Sequence, residues 1–209
     1  MIYEMRTYSL RPRSLPEVLK RFGEAYEKRR RHSELFAFWY TEIGPLNQIV
    51  HVWPYKDLAE RTRIRAEAVK DGSWPPKTAE FITSMQTDIM MPMVDVPAVG
   101  PGKVGPFFEM RTYTFNAGDL PKIRVNWEKA LPGRLKFSPL LALWFSEIGA
   151  LNTFVHIWPY ASLSERTDIR KKAVDSGAWP PKLGQGAEAY TLLTQETKIL
   201  LAAPFSPLQ

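Results

Sequence analysis

The chain has 209 residues, of which 44% are hydrophobic and 24% charged, with 28 Lys and Arg against 22 Asp and Glu. That length allows one large or two small domains, and a core covering roughly 70% of the unfolded surface needs no metal or disulfide to hold it. The absence of cysteine excludes a disulfide scaffold, a thiolate zinc site, an iron–sulfur cluster and a cysteine nucleophile together. No apolar run approaches ~18 residues, so no membrane-spanning helix is expected. The opening MIYEMRTYSLRPRS has neither the apolar core of a secretory signal nor the make-up of a transit segment, and the expected location is the cytoplasm.

Taken in chain order, residues 2–10 alternate, with Tyr3, Met5 and Thr7 on one side and Glu4, Arg6 and Tyr8 on the other, which predicts a strand. Ser14-x-x-Glu17 with Pro16 reads as a capping box opening a helix. Leu15, Val18, Leu19, Phe22, Ala25 and Tyr26 form that helix's apolar stripe. The block Lys28 to His32 is its cation-rich last turn, which suits the helix dipole. Residues 36–42 are aromatic and strand-like, Gly44-Pro45-Leu46 turns the chain, and 48–55 is a further strand. Asp57-x-x-Glu60 caps a second helix through about residue 70, and Gly72 stops it. A short helical piece follows Trp74-Pro75-Pro76-Lys77, and Thr87–Met93 is the last strand.

The whole unit then returns. Glu4-Met5-Arg6-Thr7-Tyr8 recurs as Glu109-Met110-Arg111-Thr112-Tyr113, and Trp39–Lys77 aligns without a gap with Trp144–Lys182. About half the residues from 4 to 77 equal their partners at an offset of 105. Only the last strand slips, Thr87 matching Thr197, so the second copy has gained residues near Gly184-Gln185-Gly186. The expected organisation is a first repeat over 1–93, a Pro/Gly-rich linker over 94–106 and a second repeat over 107–209.

The order strand, helix, strand, strand, helix, strand is the ferredoxin-like split βαβ pattern, whose sheet carries helices on one face only. Two such sheets can cover each other's open faces. The predicted fold is therefore α+β, two tandem ferredoxin-like (βαββαβ) repeats forming an intrachain dimeric α+β barrel. Whether this pseudo-dimer dimerises again is left open.

A three-residue turn at Gly44-Pro45-Leu46 would pair Trp39 with His51 and Thr41 with Ile49; a slip of one residue would swap the faces. In that register Phe38, Tyr40, Val50 and Val52 meet the helices. Trp39, His51 and Trp53, joined by Glu4, Arg6 and Tyr8, then face the space between the sheets. The expected ligand-binding set is Arg6, Tyr8, Trp39, His51 and Trp53 with Arg111, Tyr113, Trp144, His156 and Trp158. In that set the arginines would hold an anion and the indoles a flat apolar ring. His51 and His156 are the candidate acid/base residues. The same residues also suit plain packing: a satisfied core histidine, a Glu4–Arg6 pair, tryptophans between sheets. Arg61 and Arg65, repeated as Arg166 and Arg170, share one helix face at i,i+4 and could clamp an anion, although a solvated face is the commoner use of such a pair. Trp74-Pro75-Pro76-Lys77 reads first as a helix end packing its indole over the sheet, and second as a proline-rich partner motif.

No phosphate-binding loop, dinucleotide glycine fingerprint, nucleophile elbow or metalloprotease helix motif occurs, and a basic–aromatic nucleic-acid motif is missing. No metal or cofactor is expected, and neither is a nucleic-acid partner; a small-molecule ligand is.

The run Y-E-M-R-T-Y, followed by W-x-x-E-I-G-x-L-N-x-x-V-H-x-W-P-Y-x-x-L-x-E-R-T and W-P-P-K, resembles the NIPSNAP family, over almost the whole chain and twice. The resemblance implies a dimeric α+β barrel in the two-unit form of that family. It implies no agreed activity. The wider superfamily includes cofactor-free monooxygenases, muconolactone isomerases and haem enzymes, an analogy of fold alone. Three functions stand as expectations: binding of a small apolar or aromatic anionic molecule, cofactor-independent catalysis of oxygenase or isomerase type with a histidine acid/base, and a protein-interaction module.

Overall fold

The computed structural model describes residues 1–209 apart from the side chain of Ala187. Its first half runs β1 (Ile2–Leu10), α1 (Leu15–Arg29), β2 (Ala37–Ile43), β3 (Gln48–Tyr55), α2 (Leu58–Lys70) and β4 (Ile82–Pro92). The second repeats the order as β5 (Phe107–Phe115), α3 (Leu120–Arg134), β6 (Ala142–Ile148), β7 (Thr153–Tyr160), α4 (Leu163–Asp175) and β8 (Leu192–Ala202).

Each half orders its strands as in the split βαβ pattern, but the two sheets do not simply stack. β4 pairs with β6 and β8 with β2, all antiparallel, so the eight strands close one barrel in the order β1-β3-β2-β8-β5-β7-β6-β4. Closure pairs the C-terminal parts of β4 and β8 with the other half and so limits the unpaired sheet edge. The four helices lie outside, which makes three cores. Met5, Trp39, Val50, Val52, Met90 and their second-half partners fill the barrel. Val18, Phe22, Tyr26, Phe38, Ile49 and Trp53 fill the space between sheet and helices in the first half, and Ile123, Trp127, Leu131, Phe154 and Trp158 fill it in the second. Each of these outer cores is sealed by the other half's trailing segment. Phe205 stacks edge-on against Phe38 with centroids 4.9 Å apart, and Ser206 Oγ accepts the Phe38 amide, while Met93 and Val94 join the second half's core.

Helix starts follow the sequence at α2 and α4, where Asp57 and Ser162 side chains accept the amides of Glu60 and Glu165 at 2.8 and 3.0 Å. The expected capping box at Ser14 does not form. Ser14 holds a helical backbone, and its hydroxyl donates to the Arg11 carbonyl at 2.6 Å instead. The last strand starts earlier than the sequence predicts, because Ile82–Gln86 run along β1 mostly exposed and carry no apolar alternation.

The β2–β3 register also differs from the expectation. Phe38 stands opposite His51, Trp39 opposite Val50 and Tyr40 opposite Ile49. The turn is four residues long, Gly44 to Asn47, with positive φ at both ends (120° and 56°), not three. One residue of slip turns β3 over relative to β2: Trp39 faces the barrel interior and Phe38 and Tyr40 face the helices as expected, but Val50 and Val52 join Trp39 in the barrel, and His51 and Trp53 lie on the helix side with Phe38. The facing of β1 is likewise reversed. Tyr3, Met5 and Thr7 point into the barrel, and Glu4, Arg6 and Tyr8 point under the helices. The second half follows suit, with Leu143 opposite His156 and Trp144 opposite Val155.

Candidate functional site

Alternation along β1 places Glu4, Arg6 and Tyr8 in one row beneath α2 and the α2–β4 loop, and β3 sets Trp53 opposite Glu4 and His51 opposite Arg6. The row is joined end to end. Arg6 Nη1 donates to Glu4 Oε1 at 2.7 Å, and Arg6 Nε donates to the Tyr8 hydroxyl at 2.5 Å. The second half repeats it at 3.0 Å between Arg111 and Glu109 and 2.6 Å between Arg111 and Tyr113.

The i,i+4 arginines of α2 complete the cluster. Arg61 reaches Glu4 Oε1 at 2.5 Å and Arg65 reaches Oε2 at 3.6 Å; Arg166 and Arg170 reach Glu109 at 2.5 and 3.5 Å. The anion lying between the paired cations is thus the chain's own carboxylate. Glu4 and Glu109 have no exposed surface. Burial alone would raise their carboxyls, but three surrounding guanidiniums outweigh it and hold both below the ordinary carboxylate value. Three cations on one carboxylate leave each cluster with a surplus of positive charge.

His51 lies wholly buried among Tyr8, Phe22, Phe38, Trp53 and Trp74, with ring centroids 5.0 to 6.3 Å away. Trp53 Nε1 donates to its Nδ1 at 2.7 Å, and Trp158 does the same for His156 at 2.6 Å. An indole nitrogen only donates, so Nδ1 is the acceptor and the proton of the neutral ring sits on Nε2. Nε2 of both histidines has no hydrogen-bond partner among the described residues. Burial, then the charges of Arg6 and Arg65, hold His51 far below its ordinary value; burial, then Arg111, Arg170 and Arg134, do so for His156. Both rings are neutral hydrogen-bond donors, and neither retains a free lone pair on nitrogen.

Beyond Tyr8 the sheet–helix space opens into a cavity of about 410 Å³, walled by Tyr8, Phe22, Trp74, Pro75, Pro76 and the start of β4. The second half has the equivalent, about 600 Å³, walled by Tyr113, Trp127, Trp179, Pro180, Pro181 and Tyr190. Trp74 is buried, edge-on to Phe22 and Trp53 at 5.4 Å each, so the Trp-Pro-Pro-Lys segment is a pocket wall.

Of the residues singled out from the sequence, the structure brings Arg6, Tyr8, His51, Trp53, Arg61 and Arg65 together, and likewise Arg111, Tyr113, His156, Trp158, Arg166 and Arg170. It separates Trp39 and Trp144 from them. Trp39 packs on Phe108 at 5.5 Å and Trp144 stacks on Tyr3 at 4.4 Å, both inside the barrel. The Phe22/Trp127 and Trp74/Trp179 walls were not singled out as ligand contacts, although Phe22 stands in the helix stripe and Trp-Pro-Pro recurs. Arg29 stands in a cation-rich last turn and Arg134 is the single basic residue of its helix's last turn, so neither is marked out by its neighbours. Each is buried over an indole, Trp53 at 4.7 Å and Trp158 at 4.1 Å, and donates to a serine and a tyrosine. Their recurrence with Ser33 and Ser138 at the same offset was the available signal.

A closed antiparallel barrel of two βαββαβ halves, with aromatic pockets between sheet and helices, defines a pseudo-dimeric α+β barrel protein. A protein from Fusobacterium nucleatum provisionally assigned as a monooxygenase shares this fold, with a TM-score of 0.68 at 11% identity over 97% of this chain and 92% of that one. The sequence pattern of the NIPSNAP family matches residues 3–97 and again 108–207, and the chain belongs to that family. It is 27% identical to the human protein NipSnap homolog 3A over 217 residues, covering 100% of this chain and 86% of that protein. It is 28% identical to the Drosophila melanogaster protein NipSnap over 225 residues, covering 100% and 79%. A NIPSNAP family protein of unknown function from Agrobacterium tumefaciens is 37% identical, covering 44% of this chain and 87% of that one, with a TM-score of 0.42. Among the described residues no helix is long and apolar enough to cross a membrane.

Proposed function

We propose that the chain binds a small aromatic or apolar molecule bearing an anionic or hydrogen-bond-accepting oxygen, in the pockets between sheet and helices. The observation that carries this reading is the relay Glu4–Arg6–Tyr8 and its copy Glu109–Arg111–Tyr113. The tyrosine hydroxyl accepts the guanidinium N–H, so its own hydrogen is left to donate into the cavity that the ring walls. Indole, phenyl and proline surfaces supply the apolar part of the contact, and pockets of this volume suit drug-sized ligands. The surplus positive charge beside each relay favours an anion.

Calorimetric titration with 2-naphthoate, 2-naphthol and naphthalene tests this. The two oxygen-bearing probes should bind, and naphthalene more weakly. Tyr8→Phe with Tyr113→Phe should cost them about tenfold, the worth of one hydrogen bond. Binding indifferent to both the oxygen and the double substitution would sink the reading.

Cofactor-independent catalysis is the second reading, favoured by the fold shared with the Fusobacterium nucleatum protein. Its acid/base form has less support than binding, since both histidines are fixed as neutral donors. An interaction role resting on Trp-Pro-Pro-Lys has less still, because Trp74 is buried.

A further inference from the structure

The two pockets are built on the same relay but are not equal. Phe22 of the first is Trp127 in the second, whose indole stands edge-on to Trp179 at 5.0 Å. The offset between the halves is 105 through the Trp-Pro-Pro-Lys segment and 110 at the last strand, so the second half has a longer run of chain between the two. That run brings Leu183 and Tyr190 into the pocket wall, where Tyr190 is buried. At the offset of the last strand the first half has Glu80 where Tyr190 stands, and Glu80 points to solvent and pairs with Arg21. The larger pocket therefore holds two phenols on its wall and the smaller one holds one.

We propose that the second pocket is the chain's specialised site, in which Tyr113 and Tyr190 together hold one oxygen of a fused-ring aromatic carboxylate or phenolate, while the first pocket takes the same ligand far more weakly. Both hydroxyls are suited to donating. Tyr113 already accepts from Arg111, so its hydrogen is free. Burial, and to a smaller degree the neighbouring Tyr113, push the Tyr190 phenol up to about 12, so it keeps its proton at any physiological pH. Two phenols on one pocket wall can donate to the same oxygen and stabilise its negative charge better than either alone, and the Trp127–Trp179 pair offers the flat surface such a ligand needs. Duplication would then have freed one copy to diverge while the other kept the fold.

This inference rests on the proposed ligand pocket, and one titration separates the two. With 2-naphthoate as the probe, calorimetry on the intact chain should resolve a tight and a weak event at least tenfold apart. Tyr190→Phe should weaken the tight event about tenfold, and Tyr8→Phe should affect only the weak one. Thermal melts of both variants check that they remain folded. Two equal events that ignore Tyr190→Phe would overturn the specialisation and leave the pocket reading standing. Binding that also ignores Tyr8→Phe combined with Tyr113→Phe, or no saturable binding at all, would overturn both.

Discussion

The indole of Trp53 donates to Nδ1 of His51 at 2.7 Å, two residues along the same strand face, and so decides which nitrogen of a wholly buried imidazole carries the proton. Trp158 and His156 repeat the bond. Protonating either ring in the folded state would put a cation beside two or more arginines in an apolar core.

Stability should therefore fall with acid in a window set by these histidines. In the unfolded chain they take up protons as the pH drops through about 6.5. In the folded chain their values lie well below that, so the unfolded state binds more protons and gains on the folded one. The loss approaches about 1.4 kcal/mol per pH unit for each histidine until its folded value is reached. Denaturant unfolding between pH 7.5 and 5.5 should show this slope, and His51→Gln with His156→Gln should flatten it. An unchanged slope in the double variant would mean that the acid sensitivity arises elsewhere.

Glu4 is the keystone of three guanidiniums, and removing its charge leaves them facing one another. Breaking a buried ion pair by removing one partner costs about 3–5 kcal/mol. Glu4→Gln should accordingly lower the melting temperature by about 10 °C. Glu60→Gln in the first turn of α2, where a glutamine can still accept the Lys56 amide, should shift it by no more than about 2 °C. The carboxyl is held below its ordinary value, so its contribution is present at neutral pH and lost as the pH falls through the lowered value. This loss begins at lower pH than the onset of the histidine effect. A Glu4→Gln protein as stable as the parent would show that the cluster is not under electrostatic strain.

Much of this was legible in the sequence, and the parts that were not have definite causes. The repeat fixes the element order because identical residues recur at one offset over most of each half. The rows Glu4–Arg6–Tyr8 and His51–Trp53 followed from alternation within each strand, which is insensitive to turn length. The face of His51 and Trp53 did not, since it depended on whether the hairpin tip holds three residues or four, and the true register parts them from Trp39. Nothing in Gly-Pro-Leu-Asn says that Asn47 takes a left-handed conformation. The facing of β1 was ambiguous for a different reason. A strand covered on both sides buries polar and apolar residues alike, so Glu4 and Met5 are both inaccessible and hydrophobicity does not tell the faces apart. The second phenol, Tyr190, stands just past the inserted run opposite Glu80, so the repeat offers no matching aromatic to mark it.

The hairpin tips offer a sharp test of how the halves are joined. Gly149 has φ of 119°, and a Cβ there would lie 2.1 Å from Asp88 Oδ1; the adjacent Ala150 amide donates to that same oxygen at 3.1 Å. Gly44 at the equivalent tip has the same φ, 120°, but its nearest neighbour would be Lys198 Cγ at 3.5 Å. Both alanine variants pay the conformational cost of about 1–2 kcal/mol. Gly149→Ala alone must also push the β6–β7 tip off β4, and it should be the more destabilised of the pair in denaturant unfolding. Equal losses would mean that the Asp88 contact yields freely.

Arg6 bridges a carboxylate on one side and a phenol on the other, a task that needs the planar fork of a guanidinium. Arg6→Lys keeps the charge, and one ammonium cannot span both partners from the same stem. The variant should retain most of the pairing with Glu4, and with it most of the stability, while the Tyr8 hydroxyl loses its donor. In the second half, Arg111→Lys should do the same to Tyr113. With 2-naphthoate as probe, Arg111→Lys should then weaken binding several-fold at a nearly unchanged melting temperature. If the melting temperature falls by 10 °C or more while binding survives, the relay serves the fold and the tyrosine anchors the ligand unaided.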